Sequence, residues 1–111
     1  MGAQKLCNKK DLVINSGVCA LAQLNGQPQQ LALFYLPDTE QQVFAIHNWD
    51  PLGRANVLSR GIVGSIDDEL VVASPLYKQH FSLTTGKCLE EDISVPTFAV
   101  TLSGDDVLLT A

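Results

Sequence analysis

The feature that most narrows the fold of this chain is its punctuation: apolar residues stand in short runs, and turn-forming residues close each run. A helix needs a sustained period of 3.6, so runs this short favour strands. Residues 18–24 read as a strand, Asn25-Gly26 as the positive-φ pair of a tight hairpin, and residues 30–36 as the return strand. Pro37-Asp38-Thr39-Glu40 turns the chain into a third strand over 43–46. Residues 61–66 and 70–73 flank the acidic turn Asp67-Asp68, and 80–83 and 87–89 flank Thr84-Thr85-Gly86. Phe98, Val100 and Leu102 alternate with Ala99 and Thr101, as on a half-buried strand, before Ser103-Gly104-Asp105-Asp106 turns into 107–109. The pattern predicts about nine short strands and no amphipathic helix. Two stretches break the period: 48–60, holding Pro51 and Gly53, and 74–79, opened by Pro75. Both read as loops that follow a strand.

The 111 residues suit one domain over 1–111, and a 46% apolar content supports a packed interior rather than disorder. The expected class is all-β: an antiparallel sandwich or partly open barrel. Seven basic against twelve acidic residues give a formal charge of −5, which argues against a nucleic-acid partner, since phosphates call for a basic face. No apolar run approaches the roughly 18 residues of a membrane span. The polar start, with Lys5, Lys9 and Lys10, has no hydrophobic block behind it, so no signal peptide is expected. Gly2 suggests a myristoylation start, but Leu6 stands where that motif needs Ser or Thr. The expectation is an unanchored cytoplasmic protein with no membrane partner.

The usual catalytic signatures are missing. There is no Gly-x-Ser-x-Gly elbow and no phosphate-cradling loop, and Gly61 and Gly64 make no dinucleotide fingerprint. His47 and His80 belong to no metal-ligand pattern. Cys7, Cys19 and Cys88 are odd in number and widely spaced, and read as free, mostly buried thiols of a reducing compartment. Acidic residues gather at 67–69, 90–92 and 105–106, where solvated turn charge is the expected role.

The two loops are more specific. A Rieske domain holds its [2Fe–2S] cluster between two loops, each giving one Cys and one His. Val43-Phe44-Ala45-Ile46-His47-Asn48-Trp49-Asp50-Pro51-Leu52 resembles the approach to the first such loop, and Leu58-Ser59-Arg60-Gly61 its close. Residues 73–89 resemble the second loop and its hairpin, on Pro75, Phe81 and Thr85-Gly86. In this resemblance Asp50 and Ser74 take the Cys places, and Leu52 and Tyr77 the His places. Leucine has no lone pair to give, and the hydroxyls of Ser74 and Tyr77 are hard donors, poorly matched to iron–sulfide. Asp50 alone would hold iron weakly. The resemblance therefore implies a Rieske-like frame with two protruding loops, no cluster or other metal, and no catalytic residue of its own.

Asn48-x-Asp50-Pro51, Val57-Leu58-Ser59-Arg60-Gly61, Ala73-Ser74-Pro75-Leu76-x-Lys78-Gln79-His80-Phe81 and the early Gly17-Val18-Cys19-Ala20-Leu21 resemble the small subunits of bacterial assimilatory NAD(P)H nitrite reductases. The likeness runs from about residue 6 to 109 and implies a role in nitrate assimilation. A large catalytic subunit would carry FAD, sirohaem and a [4Fe–4S] cluster and reduce nitrite to ammonium, and this chain would accompany it without a cofactor.

Arg54, Arg60 and Lys78, among only seven basic residues, lie in or beside the loops and close to His80 in the chain. Loops that meet at one end would join them into one positive patch, with Trp49, Pro51, Leu52, Leu76 and Tyr77 adding aromatic and apolar area, a mixture typical of partner interfaces. The alternative is that Trp49 fills the space around a former cluster and Tyr77 hydrogen-bonds across the loops. Two rival classes remain: a Rieske-type electron-transfer ferredoxin with atypical ligands, which would be coloured and contain iron, and a stand-alone interaction module unrelated to nitrite.

Overall fold

The computed structural model describes residues 3–110. Met1, Gly2 and Ala111 lie outside the described residues, and with them the Gly2 start considered above. The strands are β1 (Ala3–Asn8), β2 (Ser16–Leu24), β3 (Gln27–Tyr35), β4 (Val43–His47), β5 (Trp49–Asp50), β6 (Ala55–Asn56), β7 (Ile62–Ile66), β8 (Glu69–Ala73), β9 (His80–Ser82), β10 (Thr97–Phe98), β11 (Val100–Ser103) and β12 (Asp106–Thr110). Short 3-10 turns occupy Lys9–Asp11 and Leu58–Arg60. Among the described residues, no helix is long and apolar enough to cross a membrane.

The central sheet has the order β10-β4-β3-β2 and is covered on both faces. That explains the near-continuous apolar runs of β3 and β4, which a sheet wet on one side would interrupt with polar residues. Leu31, Leu33, Val43 and Ala45 pack on one face against Val100, Val107 and Leu109 of the outer sheet β1-β12-β11. Ala32, Phe34, Phe44 and Ile46 pack on the other against Leu58, Val72 and Phe81, where the sheet β7-β8-β9 and the loops lie. The ladders between these strands are antiparallel, and among the described residues no sheet closes into a barrel.

The hairpin turns behave as their residues dictate: Asn25 and Gly26 have φ of 53° and 78°, and Asp67 and Asp68 have φ of 50° and 67°. Four expectations need correction. The polar start, outside the strands expected above, contains β1, which pairs with β12 and packs Leu6 and Cys7 against the core. The loop 48–60 contains the small β5–β6 hairpin and a 3-10 turn. Residues 87–89 form isolated bridges, Cys88 to Phe81 and Lys87 to Ser94, instead of a strand. Phe98 and Val100 lie in different sheets: Phe98 pairs with Ala45, and Val100 with Leu109. The alternation read there is real in burial, because Phe98, Val100 and Leu102 reach one core, but the chain changes sheet between them.

Candidate functional site at the two loop tips

The two loops are built on one turn used twice. Asp50-Pro51-Leu52-Gly53-Arg54 and Ser74-Pro75-Leu76-Tyr77-Lys78 share an oxygen-bearing first residue, then Pro-Leu, and a cation fifth. In each, the first side chain accepts from the backbone N–H of the third residue: Leu52 N–H to Asp50 Oδ1 at 2.9 Å, and Leu76 N–H to Ser74 Oγ at 3.2 Å. In each, the fifth N–H donates to the first carbonyl: Arg54 to Asp50 at 2.6 Å, and Lys78 to Ser74 at 3.0 Å. Both fifth residues are left-handed, Arg54 with φ 60° and Lys78 with φ 65°. Sequence reasoning matched the loops to a cluster frame and missed their likeness to each other, although the spacing Asp/Ser-Pro-Leu-x-Arg/Lys is visible in the chain.

The two turns meet at their first residues. Ser74 Oγ donates to Asp50 Oδ2 across the loops, and both residues are buried, Ser74 at 1% and Asp50 at 0% exposure. Asp50 Oδ1 accepts a second backbone bond from Gly53 N–H at 3.0 Å. The positions that the resemblance gives to two cysteines are thus joined by hydroxyl and carboxylate. Gly53 allows the loops to come this close, because a Cβ there would run into Leu76 Cδ1 and stand 3.0 Å from Asp50 Oδ2. Leu52 and Tyr77, at the histidine positions, diverge: Leu52 packs on the core beneath, while Tyr77 is 64% exposed. The expected cross-loop bond from Tyr77 is not the one that forms; the Asp50–Ser74 pair makes it.

The first loop is seated by a polar network at its base. Asn48, almost fully buried, accepts from Ser59 N–H at 2.7 Å through Oδ1 and donates to Gln30 Oε1 at 3.1 Å through Nδ2. Its carbonyl takes the Leu58 N–H at 3.1 Å. Asn48 was legible only as part of a motif; its bonds need Gln30 from another strand. Cys19 contacts the same network, with Sγ 3.7 Å from Asn48 Nδ2, and burial pushes its thiol pKa up. The three cysteines are free, but the expectation of mostly buried thiols is corrected: Cys88 is buried, Cys7 intermediate and Cys19 exposed.

Around the tips, Leu76 and Tyr77 are exposed and Trp49 is 38% exposed, so Trp49 does not fill the interior. Pro51 lies half-buried between Asp50 and Leu52. Arg60, Lys78 and His80 line one shallow pocket of about 430 Å³, together with Ile62 and Pro75. Arg54 is exposed in the first loop but does not line that pocket. His80 is not an unpaired member of the patch: its Nδ1 lies 2.6 Å from Glu90 Oε2. Burial disfavours the Glu90 charge, yet hydrogen bonds from the His80 backbone and ring, the His80 charge and the Cys88 thiol bring its carboxyl below the ordinary range. Of the expected cations, Arg60 and Lys78 share that pocket, and His80 within it is paired with Glu90. Among the described residues, no three His, Cys, Asp or Glu side chains gather as metal ligands.

Residues 3–110 match the family of Rieske-like [2Fe-2S] domains. The NADH nitrite reductase small subunit of Salmonella typhimurium is 45% identical over 89 residues, 80% of this chain and 78% of that protein. A crystal structure of a protein assigned as an NADPH nitrite reductase small subunit superposes with a TM-score of 0.88 at 45% identity, covering 100% of both chains. The ferredoxin of carbazole 1,9a-dioxygenase from Nocardioides aromaticivorans shares the fold, with a TM-score of 0.74 at 19% identity over 98% of this chain and 97% of its own. A stretch of the nitrite reductase [NAD(P)H] large subunit of Klebsiella oxytoca is 48% identical over 59 residues, 53% of this chain and 6% of that much longer protein.

Proposed function

Because this chain belongs to the Rieske-like [2Fe-2S] domain family, and within it to the small subunits of NADH nitrite reductase, we propose that it is a non-redox subunit that docks on the large catalytic subunit through its two loop tips. The Klebsiella oxytoca large subunit supports the partnership, since one polypeptide there carries both a large subunit and a stretch like this chain. The complex reduces nitrite with electrons from NAD(P)H, within nitrate assimilation in the cytoplasm.

The observation that carries the non-redox reading is the Asp50–Ser74 bond. At the two thiolate positions stand a carboxylate whose oxygens are engaged by Leu52 N–H, Gly53 N–H and the Ser74 hydroxyl, and a hydroxyl that donates to it. Of the two imidazole positions, one holds a leucine turned to the core and the other an exposed tyrosine. These residues do not fit a [2Fe–2S] cluster, which needs soft thiolate on one iron and imidazole on the other. Redox chemistry is accordingly assigned to the large subunit, with FAD, sirohaem and a [4Fe–4S] cluster.

What this chain contributes is a surface. Trp49, Leu76 and Tyr77 give exposed aromatic and apolar area, and Arg60 and Lys78 share a pocket with Ser74 and Pro75 of the second loop on an otherwise acidic protein. Arg54, which is exposed, and Pro51 and His80, which are half-buried, are assigned to its rim. Buried aromatic anchors with a charged rim are the usual source of binding energy and orientation in subunit contacts.

The test has two arms. Anaerobic treatment with iron and sulfide, followed by gel filtration, should leave a colourless protein without retained iron; bound iron with visible absorbance would establish the ferredoxin reading instead. Titration into the large subunit should give co-elution and a saturating change in nitrite-dependent NADH oxidation. Separate elution with unchanged turnover would remove the docking reading.

A further inference from the structure

A Rieske cluster has a mechanical effect besides its redox one, because it ties two loops that belong to different parts of the chain. Here the loops stay together with neither thiolate nor imidazole at the ligand positions. We propose that Asp50 and Ser74 form a metal-free clasp that takes over this tie and pre-orders the loop tips as a docking face. The clasp rests on geometry alone; its consequence for docking rests on the subunit reading above.

The clasp has three levels. Within each loop, a side-chain oxygen and a carbonyl from one residue close the turn, fixing Leu52 and Arg54 in the first and Leu76 and Lys78 in the second. Both turns end in a left-handed residue with a Cβ, a strained conformation that persists only where its surroundings impose it. Between the loops, the Ser74 hydroxyl donates to Asp50 Oδ2 away from water, where a hydrogen bond is electrostatically stronger than at the surface. Beside it, bare Gly53 lets Leu76 settle against the first loop. Asp50 is the hub, since its two oxygens hold both halves of the first turn and reach the second.

The consequence for binding is entropic. Leu76 and Tyr77 are exposed and stand on a loop with little secondary structure. Left free, their ordering would have to be supplied on association, whereas a clasped tip presents them already placed. Asp50 and Ser74 are thus positioning residues: they act on the partner through the side chains they hold, without touching it.

The experiment uses the full chain, with amide exchange followed by NMR and affinity for the large subunit followed by titration. Ser74→Ala should speed exchange at Leu52, Gly53 and Leu76 by about tenfold or more, while β3 and β4 amides keep their wild-type rates, which shows the fold to be intact. Asp50→Asn, which keeps one oxygen for the backbone amides, should give a smaller change. Affinity for the large subunit should fall about tenfold in Ser74→Ala and less in Asp50→Asn. Unchanged exchange at both tips in Ser74→Ala would overturn the clasp. Loosened tips with unchanged affinity would retain the clasp and retire the docking reading, so the two failures are told apart.

Discussion

A carboxylate out of contact with water is tolerated only when its oxygens find donors, and Asp50 meets that condition with two backbone N–H groups and one hydroxyl. Asp50→Ala strands three donors at once. Each unsatisfied buried group costs about 1–3 kcal/mol, so urea unfolding should report a loss of at least about 3 kcal/mol. Asp50→Asn should cost roughly half as much. His47 supplies a pH dependence. Burial pushes its imidazole below the ordinary 6.5, and its Nε2 lies 3.0 Å from Gln29 Oε1. As the pH falls below 6.5 the unfolded chain takes up this proton first. The contribution is therefore complete above that value and is lost as pH falls through the lower folded one. Urea midpoints between about pH 7 and 5 should decline in the wild type and flatten in His47→Gln. At this scale the sequence singled out residues without their contacts. It placed Asp50 and Ser74 at the ligand positions, but the bond between them joins residues 24 apart in the chain, and no local pattern encodes it.

Elements show a similar division between local chemistry and packing. Asn25-Gly26 and Asp67-Asp68 make their turns because those residues accept positive φ, and that preference is local. Gly86 also has positive φ, 78°, but its larger constraint is tertiary: a Cβ there would collide with the Val95 carbonyl oxygen. Gly86→Ala should cost more than about 2 kcal/mol in thermal unfolding, since strain and collision add. Gly64 in β7 has nothing within 4 Å of such a Cβ. Gly64→Ala should be neutral, or stabilising by up to about 0.5–1 kcal/mol, because a strand interior gains from alanine over glycine. If both variants proved equally harmful, this account of Gly86 would be wrong. β1 was not legible because its strand character comes from pairing with β12; its own residues, such as Gln4 and Lys5, carry no apolar alternation. Gln4 also shows how the edge of β2 is closed, its side-chain amide exchanging two bonds with the Gln23 backbone, at 2.7 and 3.0 Å.

For the whole molecule, the acidic balance and the local cations on the loops act together. In the proposed docking, a protein with net charge −5 that approaches its partner through Arg60 and Lys78 would gain orientation from the contrast. Arg54→Glu/Lys78→Glu should weaken association with the large subunit at least several-fold and lower its sensitivity to salt, while circular dichroism and the unfolding midpoint stay near wild type. Association unaffected by that double reversal would show that these charges lie outside the contact. The response of Arg60→Glu should be the larger of the single changes if the pocket it shares with Lys78 is the centre of the contact.

The chain's own residues determined the all-β class, most of the turns and the two loops. These follow from short-range causes: the period of two on a pleated strand, the φ preference of Gly, Asn and Asp, and the lack of any sustained helical period. They also determined the donor set at the loop tips, because ligand chemistry is a property of side chains in any conformation. Only the tertiary structure decided that the central sheet is covered on both faces, that Phe98 and Val100 part into different sheets, that His80 is occupied by Glu90, and that Asp50 meets Ser74. Each of those depends on a contact between segments distant in the chain, whose free energy exists only once the layers have packed.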